Sequence, residues 1–150
     1  MSLQDQLYKA AILEHYKHPR NRGTLPPPAK SKTGINPTCG DELELFLQLD
    51  NKQLDNQTVQ DVKFIGEGCA ISQASASLLT QSIKGKTLSE VNALSTDFNA
   101  MLRGEPLAED LGELKVLQGV AKLHARIKCA ALPWKTLEQI LKDVEGLESS

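Results

Sequence analysis

Aromatic side chains are scarce in this 150-residue chain: Phe46, Phe64, Phe98, Tyr8, Tyr16 and Trp134 are the whole set. Aliphatic residues and alanine must therefore supply most of the apolar core. No apolar run approaches the ~18 residues of a membrane span, and the N-terminus carries none of signal-peptide length, so the chain reads as soluble and cytoplasmic, with no membrane partner. Neither sign of charge dominates: 17 Lys and Arg stand against 19 Asp and Glu, spread along the chain. That spread excludes an electrostatic footprint for nucleic acid. Neither the G-x-S-x-G nucleophile turn nor the G-x-x-x-x-G-K-[ST] phosphate loop occurs. Cysteine is rare too, and its odd count of three argues against a disulfide framework, leaving metal binding, catalysis or inert burial.

The length suits one domain, residues 1–150, with a core of ordinary size. Ser2 can cap an opening helix, with Asp5 in the reciprocal position and a stripe of Leu7, Tyr8, Ala11, Ile12, His15 and Tyr16. Pro19 ends it. From Asn21 to Asn36, with Pro26-Pro27-Pro28, the chain reads as an extended connector. Leu43, Leu45, Leu47 and Leu49 alternate with Glu42, Glu44, Phe46 and Gln48 as a half-buried strand, and Val59, Val62 and Phe64 suggest a second. The polar turn residues Asp50 to Lys52 and Asp55 to Gln57 make the pair an antiparallel hairpin. Helical spacing then runs from Ala70 to Lys84, where Gly85 stops it. Thr87-Leu88-Ser89-Glu90 has the form of a capping box, and Thr96 or Asp97 is expected to open a further short helix ending near Gly104. Leu107 to Gly119 reads as a helical turn with loops. A last helix follows Cys129, with Pro133 in or near its first turn. The fold class is α+β.

Each cysteine has an unusual setting: Asn36-Pro37-Thr38-Cys39-Gly40-Asp41, Gly66-Glu67-Gly68-Cys69-Ala70 and Ala125-Arg126-Ile127-Lys128-Cys129. Gly40 lets the backbone fold back, so that Asp41 can join three sulfurs in a four-ligand set. A sulfur-rich set selects zinc or an iron–sulfur cluster over magnesium or calcium. Three thiolates and a carboxylate around a divalent ion leave a net charge of about −2, which Arg126 and Lys128 are placed to offset. Asp41, the harder ligand, is the one expected to leave most readily. His124 is a candidate auxiliary ligand or proton carrier, whereas His15 and His18 read as flanking the first helix. Ser72, Ser75 and Ser77 read as permitting close helix packing. With no CxxC pair present, a cysteine in isolation could equally be a small buried hydrophobe.

These three motifs in order, with Leu7-Tyr8 and His18-Pro19-Arg20-Asn21, resemble the IscU-like proteins of iron–sulfur cluster assembly, which include the NifU N-terminal domain. Within that family the chain looks like the SufU branch: Lys128 precedes the third cysteine where IscU proteins carry histidine, the Leu-Pro-Pro-Val-Lys chaperone motif is absent, and the stretch from Gly104 to Leu123 is longer. The resemblance implies a small antiparallel sheet of about three strands packed against several helices. It implies one zinc on Cys39, Asp41, Cys69 and Cys129, a SufS-type cysteine desulfurase as partner, and relay of persulfide sulfur through Cys39 to a cluster-assembly complex or apo-proteins. Arg126 would steady the anionic site, and docking of the desulfurase would release Cys39 to meet the persulfide. Two rivals remain at this point: a scaffold holding iron or a [2Fe-2S] cluster on the same ligands, and a purely structural zinc domain.

Overall fold

Leu43, Leu45 and Leu47 are all buried, and they make β2 (Asp41–Leu49) the middle strand of a three-stranded antiparallel sheet. The computed structural model describes residues 3–37, 40–50 and 57–149, with side chains described for 6–37, 40–50 and 57–144. β2 pairs with β3 (Val59–Glu67) on one side, as the alternating pattern predicts, and with β1 (Lys30–Asn36) on the other. β1 corrects the reading of this stretch as connector. Its sequence, Lys-Ser-Lys-Thr-Gly-Ile-Asn, is polar because it is an edge strand with mostly exposed side chains, held by its ladder to β2 more than by burial. The expected turn residues 51–56 and the Ser2 cap lie outside the described residues.

The described residues form four α-helices, α1 (Leu3–Lys17), α2 (Ala70–Ile83), α3 (Leu88–Leu102) and α4 (Ile127–Ser149), of which α2 and α4 pack on the sheet. A 3₁₀ stretch, Glu109–Lys122, and a single 3₁₀ turn, His124–Arg126, join α3 to α4. α2 is the central helix, buried over most of its length and packed against α1, α4 and β3. The capping box is present: Glu90 N–H donates to Thr87 Oγ1 at 3.2 Å, and Thr87 N–H donates to Glu90 Oε1 at 3.0 Å. That backbone donor holds the Glu90 carboxyl below its ordinary range. The helix it starts then runs unbroken through Thr96 and Asp97, against expectation. Thr96 Oγ1 donates back to the Asn92 carbonyl at 3.0 Å instead of capping a new helix.

α4 begins at Ile127, two residues before Cys129, so Pro133 sits in its second turn, just past the first. The proline withholds the N–H that would otherwise bond the Cys129 carbonyl four residues back. One residue on, Trp134 is fully buried and stacks on Phe98 of α3 with ring centroids 4.6 Å apart. Among the described residues, no helix is long and apolar enough to cross a membrane.

The α1 stripe is only partly buried, for Leu7 and Tyr16 are exposed. His15, expected to flank the helix, instead points inward and is 5% exposed. Its Nδ1 lies 2.7 Å from Ser77 Oγ, which also accepts the Arg20 backbone N–H at 2.8 Å. With one lone pair so occupied, the Ser77 hydroxyl hydrogen is free to point at a neutral imidazole. Burial first, and then the Arg20 charge, push the His15 pKa below 6.5, while Glu113, 3.8 Å from Nε2, opposes them. The unfolded chain therefore binds the proton more readily than the folded one. The stability held by neutral His15 is complete above about pH 6.5 and is lost as pH falls from there toward the depressed folded value. Urea unfolding followed from pH 7.5 to 5 should show this decline, and His15→Gln should flatten it; an unchanged slope would refute the assignment.

Candidate metal centre

At one end of the sheet, β1 finishes, β2 begins and β3 hands over to α2. Asn36, the last residue of β1, pairs in register with Asp41, the first of β2. Gly66 pairs with Leu43, and from there Glu67 and Gly68 carry the chain to Cys69, the N-cap of α2. Cys69 is thus placed where strand meets helix, as the glycines before it suggested. Cys129, the third residue of α4, arrives from the other side and is fully buried. Ser75 Oγ donates to the Ala130 carbonyl at 2.6 Å and so fixes the start of α4 against α2.

One ligand atom each from Asp41, Cys69 and Cys129 lie within 4.8 Å of one another. Sulfur donors at about 2.3 Å from one tetrahedral ion stand about 3.8 Å apart, so contraction of about an ångström would bring this trio onto a shared centre. Asp41 is 1% exposed, and its charge is met by hydrogen bonds. Oδ1 accepts the Cys69 backbone N–H at 2.9 Å and the Ser72 hydroxyl at 3.2 Å; Oδ2 accepts the Asn36 amide at 3.5 Å. The same Asn36 amide lies 4.0 Å from Cys129 Sγ, and Ser72 N–H donates to Cys69 Sγ at 3.5 Å. The donor set, two sulfurs and a buried carboxylate at a helix N-terminus, suits zinc or iron and not a hard, oxygen-only cation.

Of the site residues expected from the sequence, Cys39 lies outside the described residues, two places before Asp41 in the chain. Arg126 and His124 are exposed in the 3₁₀ turn before α4, and His124 is not part of the grouped ligands. A cation held beside the strand-to-helix turn is Arg22, which the sequence did not single out. It donates to the Gly66 carbonyl at 3.0 Å and to Gln73 Oε1 at 3.2 Å, over the face of Phe64. Asn36 and Ser72 were also missed as site residues. Asn36 heads the first cysteine motif and Ser72 stands three residues after the N-cap, the place where a cap's partner N–H is found, so both carried a signal.

A family described as the NifU-like N-terminal domain matches residues 7–130 by sequence. The chain belongs to that family. NifU-like relatives include the protein named zinc-dependent sulfurtransferase SufU of Bacillus subtilis (strain 168), 46% identical over 95% of this chain and 94% of its own. The protein named iron–sulfur cluster assembly scaffold protein IscU of Streptococcus pyogenes serotype M1 is 37% identical over 95% of this chain and 87% of its own. A crystal structure from Fervidobacterium islandicum AW-1, described as a candidate iron–sulfur cluster assembly scaffold for the SUF system, superposes with a TM-score of 0.82 at 36% identity, covering 91% of this chain and 97% of that one.

The NifU-like fold keeps this strand end tight at Gly66, whose φ is +143° and whose added Cβ would collide with the Glu42 carbonyl and Leu43 Cα. Gly66→Ala should lower unfolding free energy by about 2–4 kcal/mol in urea titration, combining backbone strain with overpacking against main chain. A loss under about 0.5 kcal/mol would contradict the close approach.

Proposed function

We propose that this chain serves iron–sulfur cluster assembly as a zinc-dependent sulfur acceptor of the SufU type, its 150 residues acting as one unit. The observation that carries the reading is the gathering of Asp41, Cys69 and Cys129 within 4.8 Å in a chain so similar to a protein named for zinc-dependent sulfur transfer. Cys39 is taken as the remaining metal ligand and as the sulfur acceptor. Zinc bound to such a set would keep its thiols deprotonated at neutral pH.

The chain's own residues then account for the transfer. The Cys39 thiolate attacks the outer sulfur of a persulfide carried on a SufS-type cysteine desulfurase. A sulfur–sulfur bond to Cys39 forms as the donor's sulfur–sulfur bond breaks, and the electron pair leaves on the desulfurase cysteine as its thiolate. Atoms and electrons balance without any further oxidant. The new persulfide on Cys39 is the form in which sulfur passes to a cluster-assembly complex or an apo-protein. Arg126, three residues before Cys129, offsets part of the negative charge of the ligand set.

The names of the IscU relatives favour a second reading, a scaffold that builds a [2Fe-2S] cluster on the same residues. Metal analysis and a visible spectrum of protein purified without chelator separate the two. A colourless protein with about one zinc per chain supports relay, and a brown one with iron and sulfide supports the scaffold. In the same preparations, Cys39→Ala should abolish stimulation of desulfurase turnover, and full stimulation by that variant would overturn the role given to Cys39. Stimulation that survives in Asp41→Ala, with only a fall in thermal stability, would reduce the metal to a structural part.

A further inference from the structure

The two oxygens of the Asp41 carboxylate are treated differently by the protein. Oδ1 is engaged by two donors, the Cys69 backbone N–H at 2.9 Å and the Ser72 hydroxyl at 3.2 Å. Oδ2 has the Asn36 amide at the long distance of 3.5 Å, and that amide also faces Cys129 Sγ at 4.0 Å. Oδ2 and the Cys129 sulfur therefore share one side of Asp41, while Oδ1 is turned toward the start of α2. The Ser72 hydroxyl has one hydrogen and two acceptors in reach, Asp41 Oδ1 at 3.2 Å and the Cys69 carbonyl at 3.0 Å, while the Ser72 backbone N–H donates to the Cys69 sulfur, so the serine bridges the two residues. Gly68 makes room for the arrangement: a Cβ there would stand 2.5 Å from both Asp41 Oδ1 and Ser72 Oγ. Ser72 and Asn36 are both buried.

We infer that Ser72 and Asn36 are positioning residues of the metal centre: Ser72, with the Cys69 N–H, holds Asp41 by Oδ1, and Asn36, at the long distance of 3.5 Å, orients Oδ2 as the single oxygen ligand on the side of Cys129. The inference rests on the reading that Asp41, Cys69 and Cys129 hold metal. Ser72 ties one ligand, Asp41, to another, Cys69, so a change in either is transmitted to its neighbour. Asn36 lends N–H dipoles to an anionic set and does so without adding charge. The pair also gives a carboxylate that leaves the metal a place already lined with donors, so the oxygen position is the weak one of the set. Residues behind a metal ligand commonly contribute ten- to hundredfold to metal affinity through orientation alone.

The test uses the full chain loaded with zinc, and separately with cobalt(II), whose visible bands report the ligands around the ion. Ser72→Ala and Asn36→Ala should each weaken zinc binding, measured by competition with a chelator, by about ten- to hundredfold, and should shift the cobalt bands. Ser72→Thr, which keeps the hydroxyl, should restore most of the affinity. Ser95→Ala removes an equally buried hydroxyl, one that donates to Glu138 at 2.9 Å, and should leave zinc affinity unchanged. Thermal melts of the metal-free variants identify any that fail to fold, and the conclusion is then read from the other of the pair. Asp41→Ala separates the two levels of the claim. If it too leaves affinity and cobalt spectrum untouched, the metal reading fails; if it alters both while Ser72→Ala and Asn36→Ala do not, the positioning roles are overturned and the metal reading stands.

Discussion

A carboxylate sealed from water must be met by donors, and Asp41 meets that requirement by drawing two other chain segments to its own. Its partners come from the last residue of β1 and from the first turn of α2, while Asp41 itself opens β2. Leaving such a group unpaired would cost several kcal/mol, which sets how tightly these segments must converge. The glycines around the turn, the capping position of Cys69 and the close register of Asn36 with Asp41 all follow from that convergence. Satisfying this buried charge brings Cys69 to the site, and Cys129 is brought there separately by the packing of α4 on α2.

The serines of α2 spread the same logic along the helix. Ser72 reaches Asp41, Ser75 reaches the Ala130 carbonyl of α4, and Ser77 takes both His15 of α1 and the Arg20 backbone. A side chain this small lets neighbours approach α2 closely, as the sequence suggested, and each hydroxyl also fixes one neighbour's position. α2 is in this sense the shared reference for the ligand-bearing end of the sheet and for α4. Its own polar groups are satisfied by the elements it orients.

Much of this was legible in the sequence because periodicity and capping are local signals. The leucine alternation of β2, the Gly68-to-Gly85 helix and the Thr87–Glu90 box needed only neighbours in the chain. β1 was not legible, since an edge strand buries little and its alternation is blank. The break expected at Thr96 failed because a threonine hydroxyl can bond the preceding turn as readily as it caps a new one. The cysteine motifs pointed to a candidate metal set, and the residues behind it carried a positional signal without naming their partner: a serine among serines does not declare which group it faces. Arg22 was equally silent, for its role depends on Phe64 and Gly66, which stand far from it in the chain.

The two described sulfurs are not equivalent toward solvent. Cys129 is fully buried beneath the start of α4, and Asp41 is nearly so, whereas Cys69 keeps part of its surface open. Among the described residues, a reagent arriving from outside reaches Cys69 and not Cys129. Chemistry at this centre is thereby given a front and a back, and Cys129 is shielded from stray oxidants by the same burial that denies it to any visiting macromolecule.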